Sequence, residues 1–299
     1  MHELLRIIES LKSDIHRTHG KSPVKDVGFL SCANAVDIKH VPFYGPCIIT
    51  VLTGRKIIFD SRGPIACEAG CTVTVPAPSS FDLRNEPDRE GGKYRALVIP
   101  FTHDALERLA AVHGIVHESC NEDLAVLKYE YDDVLNSAIK HYLTSEGGSA
   151  LLTHRLMEVL LVLVGKNPKL LSYVLSRESW SQRVRAVLAT ELAHPWSISE
   201  VCGRLATSES TLRRNLQKER VGFREILSEL RLTTALMRLL QTSHPIYQVA
   251  YDCGFQSMSR FSANFHKRFG LPPRHLRETM SASEAVAEHT LPSETHGVL

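Results

Sequence analysis

The stretch PIYQVAYDCGFQSMSRFSANFHKRFGLPPRHLR, Pro245–Arg277, decides the reading of this 299-residue chain. Ile246, Val249, Ala250 and Cys253 follow helical spacing, Gly254 supplies a turn, and Ser257 stands where a helix N-cap belongs. Phe261 and Phe265 then lie one turn apart on the next helix. The same unit occurs once before. Ile198, Val201, Cys202 and Leu205 precede the first four residues by 48 positions, and Leu212 and Leu216 precede the two phenylalanines by 49. The one-residue slip falls in the turn, where a loop absorbs it. Ser197 or Ser199 is the expected cap of the first helix and Ser208 of the second. Between the copies, Phe223–Leu240 reads as one longer amphipathic helix, ended near Ser243-His244-Pro245.

Each copy is a short helix, a tight turn and a short helix with a polar, basic outer face. A helix-turn-helix needs that pattern, because its second helix must leave its outer face free to enter the major groove. Charge supports the same division. The chain carries a net +2, yet Ser176–Met280 holds sixteen Lys/Arg against nine Asp/Glu, a local +7 that leaves the remainder at −5. One part of the chain is thus expected to meet a polyanion. Arg213 and Arg214, early in the second helix, suit guanine edges or phosphate. Lys218, His266, Lys267 and Arg268 sit where phosphates would pass.

Composition bounds the rest. Hydrophobic residues at 43% and charged residues at 23% match globular usage and exclude wholesale disorder. The longest apolar run, Val159–Val164, is too short for a membrane span. The N-terminus does not read as a secretory signal. Seven scattered cysteines read as cytoplasmic thiols, not a disulfide framework.

Upstream, residues 3–15 read as a short amphipathic helix. CIITVLTGRKIIF (Cys47–Phe59) reads as two strand runs forming a hairpin around Thr53-Gly54-Arg55. CEAGCTVTVPA (Cys67–Ala77) and YRALVIPF (Tyr94–Phe101) read as further strands of a small sandwich or barrel, with Glu86–Lys93 as a polar loop. From Asp104 onward the pattern is helical, with Leu152, Leu156, Val159, Leu160 and Leu163 on one stripe. Phe43, Tyr44, Ile49, Val51 and Tyr94 either line a ligand pocket or form plain core. Arg55 and Lys56, beside the Gly54 turn, either meet a carboxylate or a neighbouring domain, or remain exposed hairpin charges. Cys67 and Cys71 are either a redox-sensing pair or small buried hydrophobes. His40 is the one histidine between residues 27 and 101, which disfavours a metal-dependent barrel enzyme. No catalytic residue, metal or cofactor is expected.

Ser197–Glu278 resembles the DNA-binding domain of AraC/XylS-type transcription regulators. The resemblance lies in SISEVCGRLATSESTLRRNLQKE, in RLTTALMRLL (Arg231–Leu240) and above all in Pro245–Arg277. That last stretch matches the family signature of I-x-x-I-A, then G-F, S, F-S, F-K-R-x-F-G and P-x-x-x-R. Residues 3–110 resemble the N-terminal domain of one branch of the family, in VPFYGPCIITVLTGRKIIF and EAGCTVTV. The resemblance implies an α+β chain. Residues 1–110 would form a small cupin-like β-barrel with flanking helices, serving as sensor. Residues 111–175 would be a helical linker and dimerisation region, 176–280 an all-α double helix-turn-helix domain, and 281–299 a mobile tail. Two recognition helices would address successive major grooves about one helical turn (~34 Å) apart. The first would present Ser210, Arg213, Arg214 and Gln217, the second Met258, Ser259, Arg260 and Asn264. Ala263 stands where members often carry Arg, and His266 replaces the usual Lys, so the second unit loses cationic hold on phosphate.

The function implied is a cytoplasmic, sequence-specific regulator of transcription, an activator. Its partners would be promoter or operator DNA, RNA polymerase, a small effector or redox signal at the barrel, and a second copy of the chain, with no membrane. The alternative is a small-molecule-binding or enzymatic β-barrel with an accessory helical domain.

Overall fold

Strand β3 (Cys47–Thr53) is buried along nearly its whole length, because its alternate side chains feed two different cores. Cys47, Ile49 and Val51 face one core, and Ile48 and Leu52 the other. A strand covered on both sides reads as a continuous apolar run, as CIITVLT does. The computed structural model describes residues 3–8, 27–88, 92–113, 126–145, 148–175 and 179–281. In it β3 is central to a five-stranded antiparallel sheet that also holds β1 (Gly28–Cys32), β6 (Thr72–Val75), β8 (Tyr94–Pro100) and β9 (Leu127–Tyr129). A second antiparallel sheet, of β2 (Val36–Phe43), β4 (Arg55–Asp60), β5 (Gly63–Glu68) and β7 (Ser79–Glu86), shares the first core. The second core lies between the five-stranded sheet and helices: α1 (residues 3–8), α2 (His103–His113), α3 (Asp133–Leu143), α4 (Ser149–Lys166) and a 3-10 helix, Pro168–Leu175.

Four sequence expectations need correction. The run Cys47–Phe59 is not a hairpin: β3 pairs with β6 and β8, whereas β4 pairs with β5 and β7. Gly54 is the corner at which the chain leaves one sheet for the other. Its φ of 74° is left-handed, and a Cβ there would lie 2.4 Å from Glu86 O, so only glycine fits. The run Cys67–Ala77 is two strands split by a turn at Gly70. The polar segment Ser79–Glu86 is β7, a strand that periodicity did not signal. Finally, the region after Asp104 is not wholly helical, since β9 closes the edge of the sheet against β6. Residues 9–15 of the N-terminal helix, 89–91 of the polar loop and the tail from 282 lie outside the described residues.

The C-terminal half holds α5 (Trp180–Ala189), α6 (Ile198–Arg204), α7 (Glu209–Lys218), α8 (Phe223–Gln241), α9 (Ile246–Asp252), α10 (Met258–Phe269) and α11 (Pro273–Ser281). Around α6 and α7 a separate core gathers Val184, Trp196, Val201, Leu212, Leu216 and Ile226. The second copy shares the first core with the sheets: Leu236, Val249, Phe261, Phe265 and Phe269 join Leu30, Ile38 and Val41. Polar contacts fasten the two halves as well. Ala33 N–H donates to Thr279 O at 3.1 Å, and Arg268 donates to His40 O. Tyr44 Oη lies 3.3 Å from Thr233 Oγ1, while its ring sits 4.3 Å from the Arg185 guanidinium.

Candidate nucleic-acid interface

The two copies close their turns with the same hydrogen bonds. After α6, Leu205 N–H donates to Val201 O (3.0 Å) and Thr207 N–H to Cys202 O (3.0 Å). After α9, Cys253 N–H donates to Val249 O (3.1 Å) and Phe255 N–H to Ala250 O (3.0 Å), each 48 residues on. The left-handed residue falls at Ala206 (φ 49°) in one and Gly254 (φ 84°) in the other. The extra residue enters between this turn and the next N-cap. Ser208 Oγ caps α7 by accepting from Thr211 N–H (3.2 Å), and Ser257 Oγ caps α10 by accepting from Arg260 N–H (3.4 Å). Upstream, Ser197 is the cap of α6. Its hydroxyl and N–H, with His194, hold the Glu200 carboxyl at a pKa of about 2.

These caps fix which faces point out. Leu212 and Leu216 bury one side of α7, and Ser210, Arg213, Arg214, Gln217 and Lys218 stand exposed on the other. Arg213 makes only a loose surface pair with Glu209 at 3.5 Å, which is weak and easily exchanged for a phosphate or base. On α10, Phe261, Phe265 and Phe269 are fully buried and pack ring on ring at 5.5 and 4.8 Å. Met258, Ser259, Arg260, Asn264, His266 and Lys267 are exposed. Arg268 is different. It bonds His40 O and pairs with Glu229 at 3.4 Å, so in this structure it holds the β-sheets and does not face outward.

One residue that sequence reasoning passed over joins the two units. Arg231, on α8, donates to Leu192 O (3.0 Å) and His194 O (2.9 Å) in the loop before α6. The same guanidinium lies against Gly254, where an added Cβ would come within 2.8 Å. Beside it a cleft of about 320 Å³, lined by Pro195, Arg231, Gly254, Ser257, Arg260 and Asn264, brings the first unit's loop up to the start of α10. Arg231 therefore ties the loop that precedes the first unit to the turn of the second. Its position among apolar residues of an amphipathic helix concealed this. Arg238 adds a second tie, reaching Asp252 on α9 at 3.4 Å.

Four of the six candidate effector residues meet at the first core, and Tyr44 and Arg55 lie away from it. Ile49, Val51 and Tyr94 are packed in the first core, and Phe43 leans on Phe81 at 6.0 Å. Tyr44 faces α5 and α8. Arg55 stays at the surface between Glu68 (3.1 Å) and Glu86 (3.8 Å). Lys56, expected as an exposed charge, is 1% exposed: strand alternation turns it inward, where its ammonium donates to Asn85 Oδ1 at 2.8 Å. Burial lowers its pKa to about 8. Among the described residues no His/Cys/Asp/Glu group could hold a metal, and no helix is long and apolar enough to cross a membrane.

Comparison with known proteins agrees with this geometry. Residues 201–279 match a helix-turn-helix domain family, and residues 46–173 match the ExsA N-terminal regulatory domain. The DNA-binding dual transcriptional regulator Rns of Escherichia coli is 27% identical over 235 residues, which span 76% of this chain and 86% of Rns. The HTH-type transcriptional activator CfaD of Escherichia coli is 32% identical over 102 residues, which span 34% of this chain but only 38% of CfaD. Among solved structures, an apo variant of ToxT from Vibrio cholerae superposes with a TM-score of 0.61 at 16% identity, covering 85% of this chain and 97% of ToxT. ToxT with bound unsaturated fatty acid gives 0.57 at 14% identity, covering 86% and 95%. At these identities the likeness establishes the shared α+β architecture. The chain thus carries an ExsA-type regulatory domain ahead of a doubled, AraC-type helix-turn-helix, the make-up of AraC-family transcription regulators.

Proposed function

We propose that this chain acts in the cytoplasm as a transcription activator that reads two successive major grooves of promoter DNA, α7 in one and α10 in the next. The observation that carries this reading is the pair of capped helices with matching turns, each with an apolar face buried and a polar face free. Ser210, Arg213, Arg214 and Gln217 address bases in the first groove. Met258, Ser259, Arg260 and Asn264 address the second, with Lys218, His266 and Lys267 on phosphates. Arg268 joins the phosphate contacts only when the sheets release it. Residues 176–280 are the reading domain, 1–110 the sensing domain and 111–175 the linker through which two copies associate. RNA polymerase is the partner at the promoter. ToxT holding a fatty acid supports a small effector in the N-terminal half, from which the Tyr44–Thr233 and Tyr44–Arg185 contacts lead to the reading domain.

Gel-shift titration against fragments of the source genome tests this. A specific site is expected whose log binding constant falls linearly with log salt. Arg213→Ala or Arg214→Ala should weaken that site by about 1–3 kcal/mol, roughly 5- to 150-fold, and relax the preference at one base pair. Equal binding of all fragments by the wild-type chain would refute the proposal.

A further inference from the structure

We propose that Cys67 and Cys71 form a dithiol, just beneath the surface of the N-terminal half, that a hydroperoxide converts to a disulfide. Cys67 is the last residue but one of β5 and Cys71 directly precedes β6, joined by a turn in which Cys71 N–H donates to Glu68 O at 3.0 Å. The Cys71 thiol donates to Thr72 O at 3.8 Å, and across the turn it acts electrostatically on Cys67. Both sulfurs are buried, yet Glu68 and Ala69 between them are exposed. Lys128 and Glu130, both reaching solvent from the neighbouring edge, act electrostatically on the pair.

The register supplies a second, independent feature. Cys67 stands directly across from Lys56, and Lys56 directly across from Asn85, so thiol, ammonium and amide form one inward row over three strands. An ammonium fixed by Asn85 and facing the thiol favours the thiolate. The hydrogen bond from Cys71, then Lys128 and Lys56, lowers the Cys67 pKa against the opposing effect of burial. The other described cysteines lack this arrangement. Burial pushes Cys32 and Cys47 up to about 12 and Cys253 up to about 11.

The reaction balances with the hydroperoxide as sole oxidant. Cys67 thiolate attacks the distal peroxide oxygen, the O–O bond breaks, and the leaving alkoxide takes the thiol proton to give an alcohol. Cys67 is then a sulfenic acid. Cys71 Sγ attacks that sulfur, its proton leaves with the displaced hydroxide as water, and the S–S bond forms. In sum, two thiols and one hydroperoxide give a disulfide, an alcohol and water; hydrogen peroxide gives two waters.

Trypsin makes the test direct. Cys67 and Cys71 fall on one peptide, residues 63–84, while Cys32 and Cys47 fall on residues 26–39 and 40–55. The reduced, folded chain is exposed to substoichiometric hydrogen peroxide, alkylated under denaturing conditions, digested and weighed. Peptide 63–84 is expected two hydrogens light and unalkylated, while the other two peptides remain fully alkylated. Cys71→Ser should leave Cys67 as a sulfenic acid that dimedone traps. Lys56→Met combined with Asn85→Leu should slow disulfide formation by about tenfold, and the surface change Lys128→Gln by about threefold, through loss of thiolate. Full alkylation of peptide 63–84, equal oxidation of all three peptides, or the same rate in urea-unfolded chain would overturn the proposal. Unchanged rates in both lysine variants would overturn the role given to the cations.

Discussion

Gly254→Ala is expected to lower the stability of the DNA-binding half by about 3 kcal/mol, and Ala206→Gly to raise it by about 1 kcal/mol, although the two positions are equivalent in the repeat. Gly254 has φ 84°, where an L side chain costs roughly 1–2 kcal/mol. A methyl there also enters the space of the Arg231 guanidinium, 2.8 Å away. Arg231 can swing aside only by releasing Leu192 O and His194 O, and hydrogen bonds from a charged donor contribute about 1.5–3 kcal/mol each at most. At Ala206 (φ 49°) the chain already carries the side-chain strain, so glycine relieves it. Urea unfolding followed by far-ultraviolet circular dichroism reads both changes. On the proposed function, Gly254→Ala should also weaken DNA binding more than its loss of stability accounts for, because Arg231 ties the two helix-turn-helix units together. Equal midpoints for Gly254→Ala and wild type would contradict the strut.

The second large effect is a gain. Lys56→Met combined with Asn85→Leu is expected to stabilise the N-terminal half at pH 7 by up to about 3 kcal/mol. Lys56 titrates near 8 in the fold against 10.5 for an ordinary lysine, chiefly because burial disfavours the ammonium. About two and a half units at 1.36 kcal/mol each is roughly 3 kcal/mol. The sign follows from proton uptake. Between about pH 8 and 10.5 the unfolded chain binds more protons at this site than the folded one, so wild-type stability rises with pH across that window. Below pH 8 the full cost is present, and above 10.5 it is gone. Both partners are replaced together because Asn85 Oδ1 left alone would be a buried, unpaired acceptor. The difference in unfolding free energy between double variant and wild type, measured from pH 7 to 10.5, should shrink with rising pH. A flat difference, or a variant less stable at pH 7, would contradict the account.

The helical half was legible because its signals are local. Ser208 and Ser257 cap the helices that follow them, and Leu212, Leu216, Phe261 and Phe265 recur at the helical period, so each unit could be read from about twenty consecutive residues. The sheets were harder because strand partners are not local. The glycine between Cys47–Thr53 and Arg55–Asp60 signals a reversal, but whether the strands pair or part at Gly54 depends on β7 and β8, which begin 25 and 40 residues on. The polar β7 and the three-residue β9 carry too little pattern to be seen. Lys56 was misjudged because lysine beside a glycine turn normally points to water. Its neighbour Arg55 does reach the surface, and alternation sends Lys56 the other way. At the candidate interface the outward residues of α7 and α10 followed from their buried partners, whereas Arg231 and Arg268 are held by contacts 37 to 228 residues distant.

Hydroxyl-radical footprinting of the chain on its selected DNA site addresses the central claim most directly. Two protected patches are predicted on one face of the duplex, one helical turn (~34 Å) apart, with Arg260→Ala erasing only one of them. A single protected groove, or two patches on opposite faces, would contradict the claim that α7 and α10 read DNA together.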